Sequence, residues 1–485
     1  MSDNKRSAEE IADERVVLIE EINKEKYSYI EITDMDKKAN ELYHSKIMPN
    51  FNFEEDFYYD LAMKYKKEIE ENGFFKDLEK MPKGCLLHLH ITDCIDIKWL
   101  SKMVMEKENL KYIYMRKFRT YDILIFTKQP SEDDKPFKDI IEQYLSENKE
   151  KTVYDYFYSK LSMVPEEIAK AENNDQVWDI FMPKYFFCYY LVLYKKFYQQ
   201  HIRNTFLQCI NDKQYRLEAR LTPWRIRDEN YQIINEDEEM NIYIDELKYV
   251  NSLDLISTQF TFGIIIEIIR NKTDEFISDV IKKSIVLRQK YPDIICGIDI
   301  AGDENNFRSF QDLTNVMLEN NDKDLPWILH CGETIRAKNF NLVDGCLINA
   351  KRFGHVINLF KLGNLFELIK SKQMVLEINP ISNQTLRQVR DLRLHPCIGY
   401  HNNGIKCTIN NDDPTLYNTA GVNYDFFVAC AAMEFDLLDL KCFGLNSIDG
   451  AQISNELKKD YKNKFLKEWN LFLGYFISKY GILSN

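Results

Sequence analysis

The sequence lacks the features that mark membrane, secreted and nucleic-acid-binding proteins. Its most apolar stretch, residues 185–194, is too short to span a bilayer and is typical of a buried helix. The first ten residues are polar and have no apolar core of the kind found in secretory signals. The formal net charge is -13, whereas binding to a nucleic-acid backbone requires clustered Lys and Arg. We therefore expect no membrane partner, no nucleic-acid partner and a cytoplasmic location.

Cysteine pairs with metal-binding or redox spacing are also missing. The 11 cysteines are scattered, mostly within apolar runs, and none forms a CxxC pair. This pattern is typical of reduced thiols in the core of a cytosolic protein. The chain has 485 residues and 45% apolar content, which is enough for one large α/β domain with appendages or for about two to three average domains.

Histidine is scarce, and its placement is informative. Four of the 8 histidines occur in motifs that follow short apolar runs. These motifs are His88-Leu89-His90, His330-Cys331-Gly332-Glu333 and Gly354-His355, and a fourth, without histidine, is Asn411-Asp412-Asp413-Pro414. Imidazole and carboxylate are ligands that zinc accepts, and a catalytic zinc site leaves a position for water. Together the motifs predict a metal-dependent hydrolytic site.

Each motif alone has a simpler interpretation. His88 and His90 stand two apart in a strand-like run, so both rings lie on one face and could bind one ion, but two half-buried strand histidines would have the same pattern. Asp412-Asp413-Pro414 is also a common turn opening. Because the motifs occur together on successive apolar runs, the functional interpretation is favoured.

Eight β-favouring runs predict the fold, and most stretches between them have helical periodicity. The runs are 84–91, 215–221, 262–269, 294–300, 327–331, 353–357, 374–378 and 405–410. Alternating strands and helices in this number indicate an α/β (β/α)8 TIM barrel, whose active site forms at the carboxyl ends of the strands. The motif residues follow those ends. A doubly wound sheet is the alternative.

Two segments lie outside the alternating pattern. Residues 1–77 are charged and helical in period, with apolar residues such as Val16, Ile19 and Ile22 spaced at three. We interpret them as a helical N-terminal arm attached to a barrel over 78–485. Residues 111–150 contain β-like pieces and a polar loop, and they predict a small insertion over the barrel mouth after the first strand.

The order and spacing of the motifs resemble the adenosine deaminase superfamily. The resemblance rests on Met81-Pro82-Lys83-Gly84 before the HxH pair, Ala301-Gly302-Asp303-Glu304, the three later motifs already named, and Arg352-Phe353 before Gly354. Asn379-Pro380-Ile381-Ser382-Asn383, Asp391-Leu392-Arg393-x-His395-Pro396, the apolar helix after Val177-Trp178 and the helical arm resemble the adenosine deaminase-related growth factor branch. Because that branch is often secreted, an extracellular location is the alternative.

The resemblance implies a function and a role for each residue. It implies a metal-dependent aminohydrolase that deaminates adenosine or 2′-deoxyadenosine in purine metabolism, and a homodimer formed through the arm. One Zn²⁺ per chain would be held by His88, His90, His330 and Asp412. Glu333 would donate a proton to purine N1, and His355 would orient and help deprotonate the attacking water. Substrate contacts are implied for Asp413 at N7, the Gly302 amide at N3, and Trp178.

The chain departs from the family pattern at the sugar and after the HxH pair. Where relatives place an acid one or two residues after this pair, Ile91 and Thr92 stand here, and Asp93 comes third. At positions that meet the ribose in relatives, we expect Val153 and Ile269, with Asp155 or Arg270 as neighbouring alternatives.

These departures leave two other functions open. One is deamination of another aminopurine, such as adenine, an N6-modified adenosine or a nucleotide. The other is a growth-factor-like binding role for the arm, although no cysteine pair lies in the insertion.

Overall fold

Eight parallel strands form the centre of the computed structural model, which describes residues 8–255 and 258–481. Each strand overlaps one of the eight predicted runs. The strands are Gly84–Leu86 (β1), Gln214–Leu221 (β5), Thr261–Ile269 (β6), Ile295–Ala301 (β7), Ile328–Cys331 (β8), Arg352–His355 (β9), Val375–Ile378 (β10) and Lys406–Ile409 (β11). β1 is shorter than its run because residues 89 and 90 pair with their neighbours only through single bridges.

The strands close into a barrel. The order β1-β5-β6-β7 continues into β8-β9-β10-β11 through the parallel bridge between Ile298 and Trp327. On the other side, the His90 amide donates to the carbonyl of Asp412 at 3.0 Å, and Leu89 bridges the same residue in parallel. A doubly wound sheet has two open edges. The (β/α)8 TIM barrel is therefore confirmed, and the doubly wound alternative is wrong.

The barrel interior contains a continuous chain of buried ion pairs. Arg216 contacts Glu218 at 2.7 Å, and Arg352 joins Glu218 at 2.5 Å to Glu377 at 2.6 Å. Arg220 then links Glu377 at 2.7 Å to Asp299 at 2.6 Å. All six side chains are buried. Because an unpaired buried charge is costly, this alternation of signs is what allows charged residues in otherwise apolar strands.

Helices surround the barrel and follow its strands. Before β1 lie Ala8–Lys26 (α1), Asp34–Leu42 (α2), Glu55–Tyr59 (α3), Lys66–Glu71 (α4) and Gly73–Leu78 (α5). Between β1 and β5 lie Ile97–Met105 (α6), Lys107–Leu110 (α7), Phe137–Glu147 (α8), Val153–Leu161 (α9), Pro165–Ile168 (α10), Asn174–Val192 (α11) and Lys195–Asn211 (α12). Further along the chain are Glu236–Asn251 (α13), Asp274–Lys290 (α14), Phe310–Glu319 (α15), Asn341–Leu347 (α16), Leu365–Ser371 (α17), Pro380–Thr385 (α18), Cys397–Asn402 (α19), Asn423–Met433 (α20), Leu437–Gly450 (α21) and Asn455–Gly481 (α22).

The segment after β1 forms a small antiparallel sheet. Its strands are Ile113–Phe118 (β2), Tyr121–Phe126 (β3) and Lys135–Pro136 (β4), in the order β3-β2-β4. The β2–β3 turn packs on α11 through aromatic pairs, with ring centroids 5.2 Å apart for Phe118 and Tyr190 and 5.1 Å apart for Tyr121 and Phe186. This packing fixes the turn next to the barrel mouth.

The N-terminal helices pack mainly on their own chain. Asp36 accepts hydrogen bonds from Lys441 at 2.7 Å and from Trp469 at 2.8 Å, and all three side chains are buried. Phe57 of α3 and Ile69 of α4 are also buried. In contrast, α1 leaves large apolar side chains between 40% and 56% exposed, namely Ile11, Val16, Val17, Leu18 and Ile19. Among the residues that the structure describes, α1 therefore contacts α19 but leaves these five apolar side chains exposed.

Three further features concern the helices and the cysteines. The helical stretch between β9 and β10 is split into a single turn at Leu359–Lys361 and α17, with Gly363 between them at φ +42°. Among the described residues, no helix has both the length and the apolar content to cross a membrane. All 11 cysteines are free thiols, and 10 of them are buried.

Candidate active site

Four motifs meet at the carboxyl ends of the strands. His88 and His90 follow β1, His330 lies in β8, and Asp412 follows β11. Nε2 of His88 lies 3.0 Å from Oδ1 of Asp412, and Nε2 of His90 lies 3.3 Å from the same oxygen. Nε2 of His90 and Nε2 of His330 are 3.2 Å apart. Three imidazole nitrogens and one carboxylate therefore point at one small volume.

The arrangement fits a metal ion. Ligand atoms of His88, His330, His355 and Asp412 lie within 4.8 Å of one another, and so do those of His90, Asp412 and Asp413. Nε2 of His88 and Oδ1 of Asp412 are buried without a hydrogen-bond partner. Buried polar atoms without a partner are costly, and a cation at the centre would satisfy both. Imidazole nitrogen with one carboxylate oxygen is also a donor set that zinc prefers.

Three of the four histidines have a carboxylate behind the ring, on the side away from the cluster, and the fourth does not. Nδ1 of His88 lies 2.9 Å from Glu377, Nδ1 of His90 lies 2.8 Å from Glu267, and Nδ1 of His330 lies 2.5 Å from Asp299. A carboxylate at one ring nitrogen orients the other toward a metal, as is usual for metal-binding histidines. Each of these three rings therefore has Nε2 directed at the centre.

His355 has a different environment. Nδ1 of His355 lies 3.0 Å from the side-chain amide nitrogen of Asn383, and its Nε2 lies 3.9 Å from Glu333 and 3.8 Å from Asp412. Burial lowers the pKa of His355 well below its usual range, so the ring is neutral. This position, beside the cluster and without a carboxylate behind it, suits a proton acceptor more than a ligand.

Two of the site residues have unusual backbone conformations. His355 has φ +67° and Asp412 has φ +55°, a region that side-chain-bearing residues seldom adopt. Such conformations are costly and concentrate at functional positions, where the surrounding structure imposes them. Here His355 is the last residue of β9 and Asp412 lies three residues after β11, and the turn directs each side chain into the cluster.

Glu333 lies at the edge of the cluster in a buried position. The Gln388 amide donates to its Oε1 at 2.9 Å, and its own backbone N–H donates to Glu304 at 3.1 Å. Burial, followed by the negative charge of Asp412, raises the pKa of Glu333 to about 8. The group is therefore protonated near neutral pH, as a general acid requires.

One cavity connects the cluster with the predicted substrate contacts. It has a volume of about 720 Å³, within the usual range for small-molecule sites. Its lining includes Gly302, at φ +106°, as well as Asp413 and Trp178. Every residue predicted for the site lines this cavity except His88, which lies behind it and is fully buried. Aromatic side chains of α11, spaced three or four residues apart, form one wall.

The expected sugar positions are only partly brought to the cavity. Ile269 lines it, but Val153 lies at the start of α9 and is absent from the lining formed by residues 8–255 and 258–481. Asp155 caps the same helix through Thr152, and Arg270 is buried below the cavity floor, where it donates to the carbonyl of Ile300 at 3.2 Å. Val153 therefore does not supply the expected sugar contact.

Asp93 lies in the turn that follows the HxH pair. The turn spans Ile91–Asp93, and the carboxyl accepts a hydrogen bond from the Thr92 hydroxyl at 2.9 Å. Burial raises the pKa of Asp93 to about 7. The acid that comes third after the pair is therefore buried next to His90.

Sequence reasoning missed the carboxylates behind the histidines. Glu267, Asp299 and Glu377 lie in β6, β7 and β10, and each is buried. The available signal was an acidic residue inside an otherwise apolar strand, which is costly without a partner. Gln388, which contacts Glu333, lies in a loop after α18 and had no comparable signal.

Known proteins resemble this chain over most of its length. Residues 167–468 match the family model described as adenosine deaminase. Adenosine deaminase 2-A of Danio rerio is 26% identical over 433 residues, covering 84% of this chain and 83% of that protein.

Solved structures also share the fold. An amidohydrolase from Burkholderia ambifaria with bound Zn superimposes with a TM-score of 0.58 at 15% identity, covering 83% of this chain and 94% of that chain. The N6-methyl-AMP deaminase of Arabidopsis thaliana superimposes with a TM-score of 0.57 at 17% identity, covering 81% and 98%.

Proposed function

The chain belongs to the adenosine deaminase family of aminohydrolases, and on that premise we propose that it deaminates adenosine or 2′-deoxyadenosine, releasing inosine or deoxyinosine and ammonia. One observation supports the proposal most. Three histidines with carboxylates behind them converge with Asp412 beside a protonated, buried Glu333 in a cavity of substrate size.

We propose one Zn²⁺ per chain, held by His88, His90, His330 and Asp412. The unpartnered Nε2 of His88 and Oδ1 of Asp412 support this assignment, as does the bound Zn of the Burkholderia ambifaria amidohydrolase. When bound, zinc would acidify a water molecule to near neutrality and so make a nucleophile available at neutral pH.

The remaining residues would move protons and hold the purine. His355, neutral and placed next to Asp412, would accept a proton from the attacking water. Glu333 would donate a proton to N1, which makes C6 more electrophilic and favours departure of the amino group as ammonia. Asp413 at N7, the Gly302 amide at N3 and Trp178 would orient the base, since all three line the same cavity.

The central test is turnover measured by ultraviolet absorbance, because loss of the 6-amino group changes the purine spectrum. Glu333→Gln should fold and retain zinc but lose at least about 10²-fold in kcat, since the amide cannot donate the proton. Gln143→Glu makes the opposite substitution on the exposed surface of α8. It controls for the effect of changing the net charge of the protein away from the active site. A loss of less than about tenfold for Glu333→Gln would assign Glu333 a structural role.

A second candidate is deamination of a different aminopurine. The similarity to N6-methyl-AMP deaminase and the aliphatic Ile269 in the cavity wall favour testing adenine, N6-modified adenosines and nucleotides. Side-by-side kcat/KM values over this panel decide between the candidates. A protein that deaminates none of them would instead support the growth-factor-like binding role.

We also propose a homodimer formed through the arm. The exposed apolar side chains of α1 support it, because exposed apolar surface of this kind commonly marks an interface. The cytoplasmic location stays a prediction.

A further inference from the structure

Three cationic side chains line the outer part of the cavity. Arg119 lies in the β2–β3 turn, Arg225 in the loop after β5, and Lys272 in the loop after β6. Arg119 is exposed and the other two are half-buried, whereas Glu333 and Asp412 are buried. This gradient of exposure places the three cations at the mouth and the histidine cluster at the floor.

The three cations repel one another and have no ion-pair partner among the described residues. Burial lowers the pKa of Lys272, and the positive charges of Arg119 and Arg225 lower it further. Their nearest aromatic contacts are weak: Arg119 lies 5.6 Å from the Phe118 ring and Lys272 lies 5.8 Å from the Phe276 ring. Three like charges held near one another without a counter-ion favour an anion between them.

Other charged groups at the mouth do not neutralise them. Lys283 and Asp279 line the cavity as a pair, with 2.9 Å between Nζ and Oδ2. Asp303 also lines it and carries one negative charge, which offsets only one of the three cations. The local excess is therefore positive, although the whole chain has a formal net charge of -13.

The purine itself sets where an anion would lie. For C6 to react at the histidine cluster, the six-membered ring must point to the floor of the cavity. N9, which bears the sugar, is on the opposite side of the bicyclic ring, so the sugar and its 5′ substituent extend toward the mouth. A 5′-phosphate would then meet the cations, and arginine in particular binds phosphate by paired hydrogen bonds.

We propose that Arg119, Arg225 and Lys272 form a phosphate-binding site at the cavity mouth, and that the preferred substrate is a purine nucleoside 5′-monophosphate rather than the free nucleoside. This inference rests on the proposed deaminase function and specifies its substrate class. The product is the corresponding 6-oxopurine nucleotide, with water consumed and ammonia released. The inserted sheet would thereby contribute to substrate binding, because its β2–β3 turn positions Arg119 at the cavity mouth.

The test compares AMP with adenosine for the zinc-loaded wild type and for Arg119→Gln, Arg225→Gln and Lys272→Gln. We expect a higher kcat/KM for AMP than for adenosine. Each substitution should lower the ratio of the two kcat/KM values about tenfold or more, mainly through KM for AMP, because a charge-assisted contact is lost. Lys282→Gln removes the same charge from an exposed position of α14 outside the cavity lining and should leave both values unchanged.

Two further measurements keep the inference testable if a variant folds poorly. On the wild type, raising the salt concentration should increase KM for AMP more than KM for adenosine, because screening weakens charge pairing. Calorimetric titration with IMP should give binding that weakens in the three variants but not in Lys282→Gln. Titration with inorganic phosphate separates recognition of the whole nucleotide from binding of the free anion.

The outcomes separate this inference from the proposed function. Adenosine turnover with no preference for AMP, or a ratio unchanged by all three substitutions, would overturn the phosphate site and leave the deaminase intact. If no aminopurine is deaminated, the proposed function fails. In that case, IMP binding that weakens in the three variants would still support the phosphate-binding site. The phosphate-binding site would be refuted if IMP did not bind, or if the three substitutions left its binding unchanged.

Discussion

Gly354 offers a sharp test of the metal site, because a single methyl group at this position would strike a proposed ligand. A Cβ atom there would lie 2.7 Å from Cε1 and 3.0 Å from Nδ1 of His88. Gly354 does not have a positive φ, so alanine fits the backbone and the clash is the main effect of Gly354→Ala. The residue belongs to β9, which pairs with β8 and β10, so the backbone has little freedom to retreat.

The expected magnitude follows from this geometry. To restore ordinary carbon contacts of about 3.5 Å, the His88 ring must move by roughly 0.8 Å. The movement also disturbs the 2.9 Å contact between His88 and Glu377. Loss of such a supporting contact typically costs about 10- to 100-fold in metal affinity, and a misplacement of about 1 Å can cost about 10²-fold in rate. We therefore expect Gly354→Ala to lose both zinc affinity and turnover.

Zinc affinity is measured by competition with a chromogenic chelator, and kcat by ultraviolet absorbance at saturating zinc. Gly474→Ala is the matched control, since a Cβ at this helical position has nothing within 4 Å. Circular dichroism of both variants verifies that the fold is retained. If Gly354→Ala binds zinc and turns over substrate like the control, His88 is not a ligand and the assignment of the cluster is refuted.

Three more predictions follow from other parts of the structure. Glu333 acts in its protonated form and burial raises its pKa to about 8, so kcat/KM should fall as pH rises through about 8; a flat profile would contradict this role. Gly84 has φ +76°, and Gly84→Ala would drive its Cβ into the backbone oxygen of Gly444 in α21. Chemical denaturation should show a free energy of unfolding lowered by about 2–4 kcal/mol, whereas Gly474→Ala should raise it by up to about 1 kcal/mol. Replacing both Val17 and Leu18 with Glu should convert a dimer to a monomer in light scattering, and an unchanged mass would exclude α1 from the interface.

The strands and the cluster could be predicted from the sequence because their signals are local. A barrel strand is buried on both faces and appears as a short apolar run, and the polar residue that ends the run marks the catalytic face. His330, His355 and Asp412 follow this rule, and the structure brings them together. The period of two in His88-Leu89-His90 was sufficient to place both rings on one side.

The parts that could not be predicted depend on contacts between distant segments. The role of Glu267, Asp299 and Glu377 in orienting the histidines becomes clear only from the structure, where each contacts a histidine from another segment. Phe57 in the arm is buried against the same chain, and the sequence could not show which surface covers it. The position of Val153 could not be predicted for the same reason, since no local signal fixes where the chain lies after the inserted sheet.

Charge balance in the barrel interior connects the fold to the proposed chemistry. The chain of ion pairs contains three arginines and three carboxylates, and two of these carboxylates, Asp299 and Glu377, also orient His330 and His88. That chain is neutral as a whole. Among the described residues, Glu267 and Asp412 have ion-pair contacts only with histidines, so the cluster retains two carboxylates without an arginine. A divalent cation at the centre of the cluster would compensate both, and the neutral chain beneath it would stay paired whether or not the ion is bound.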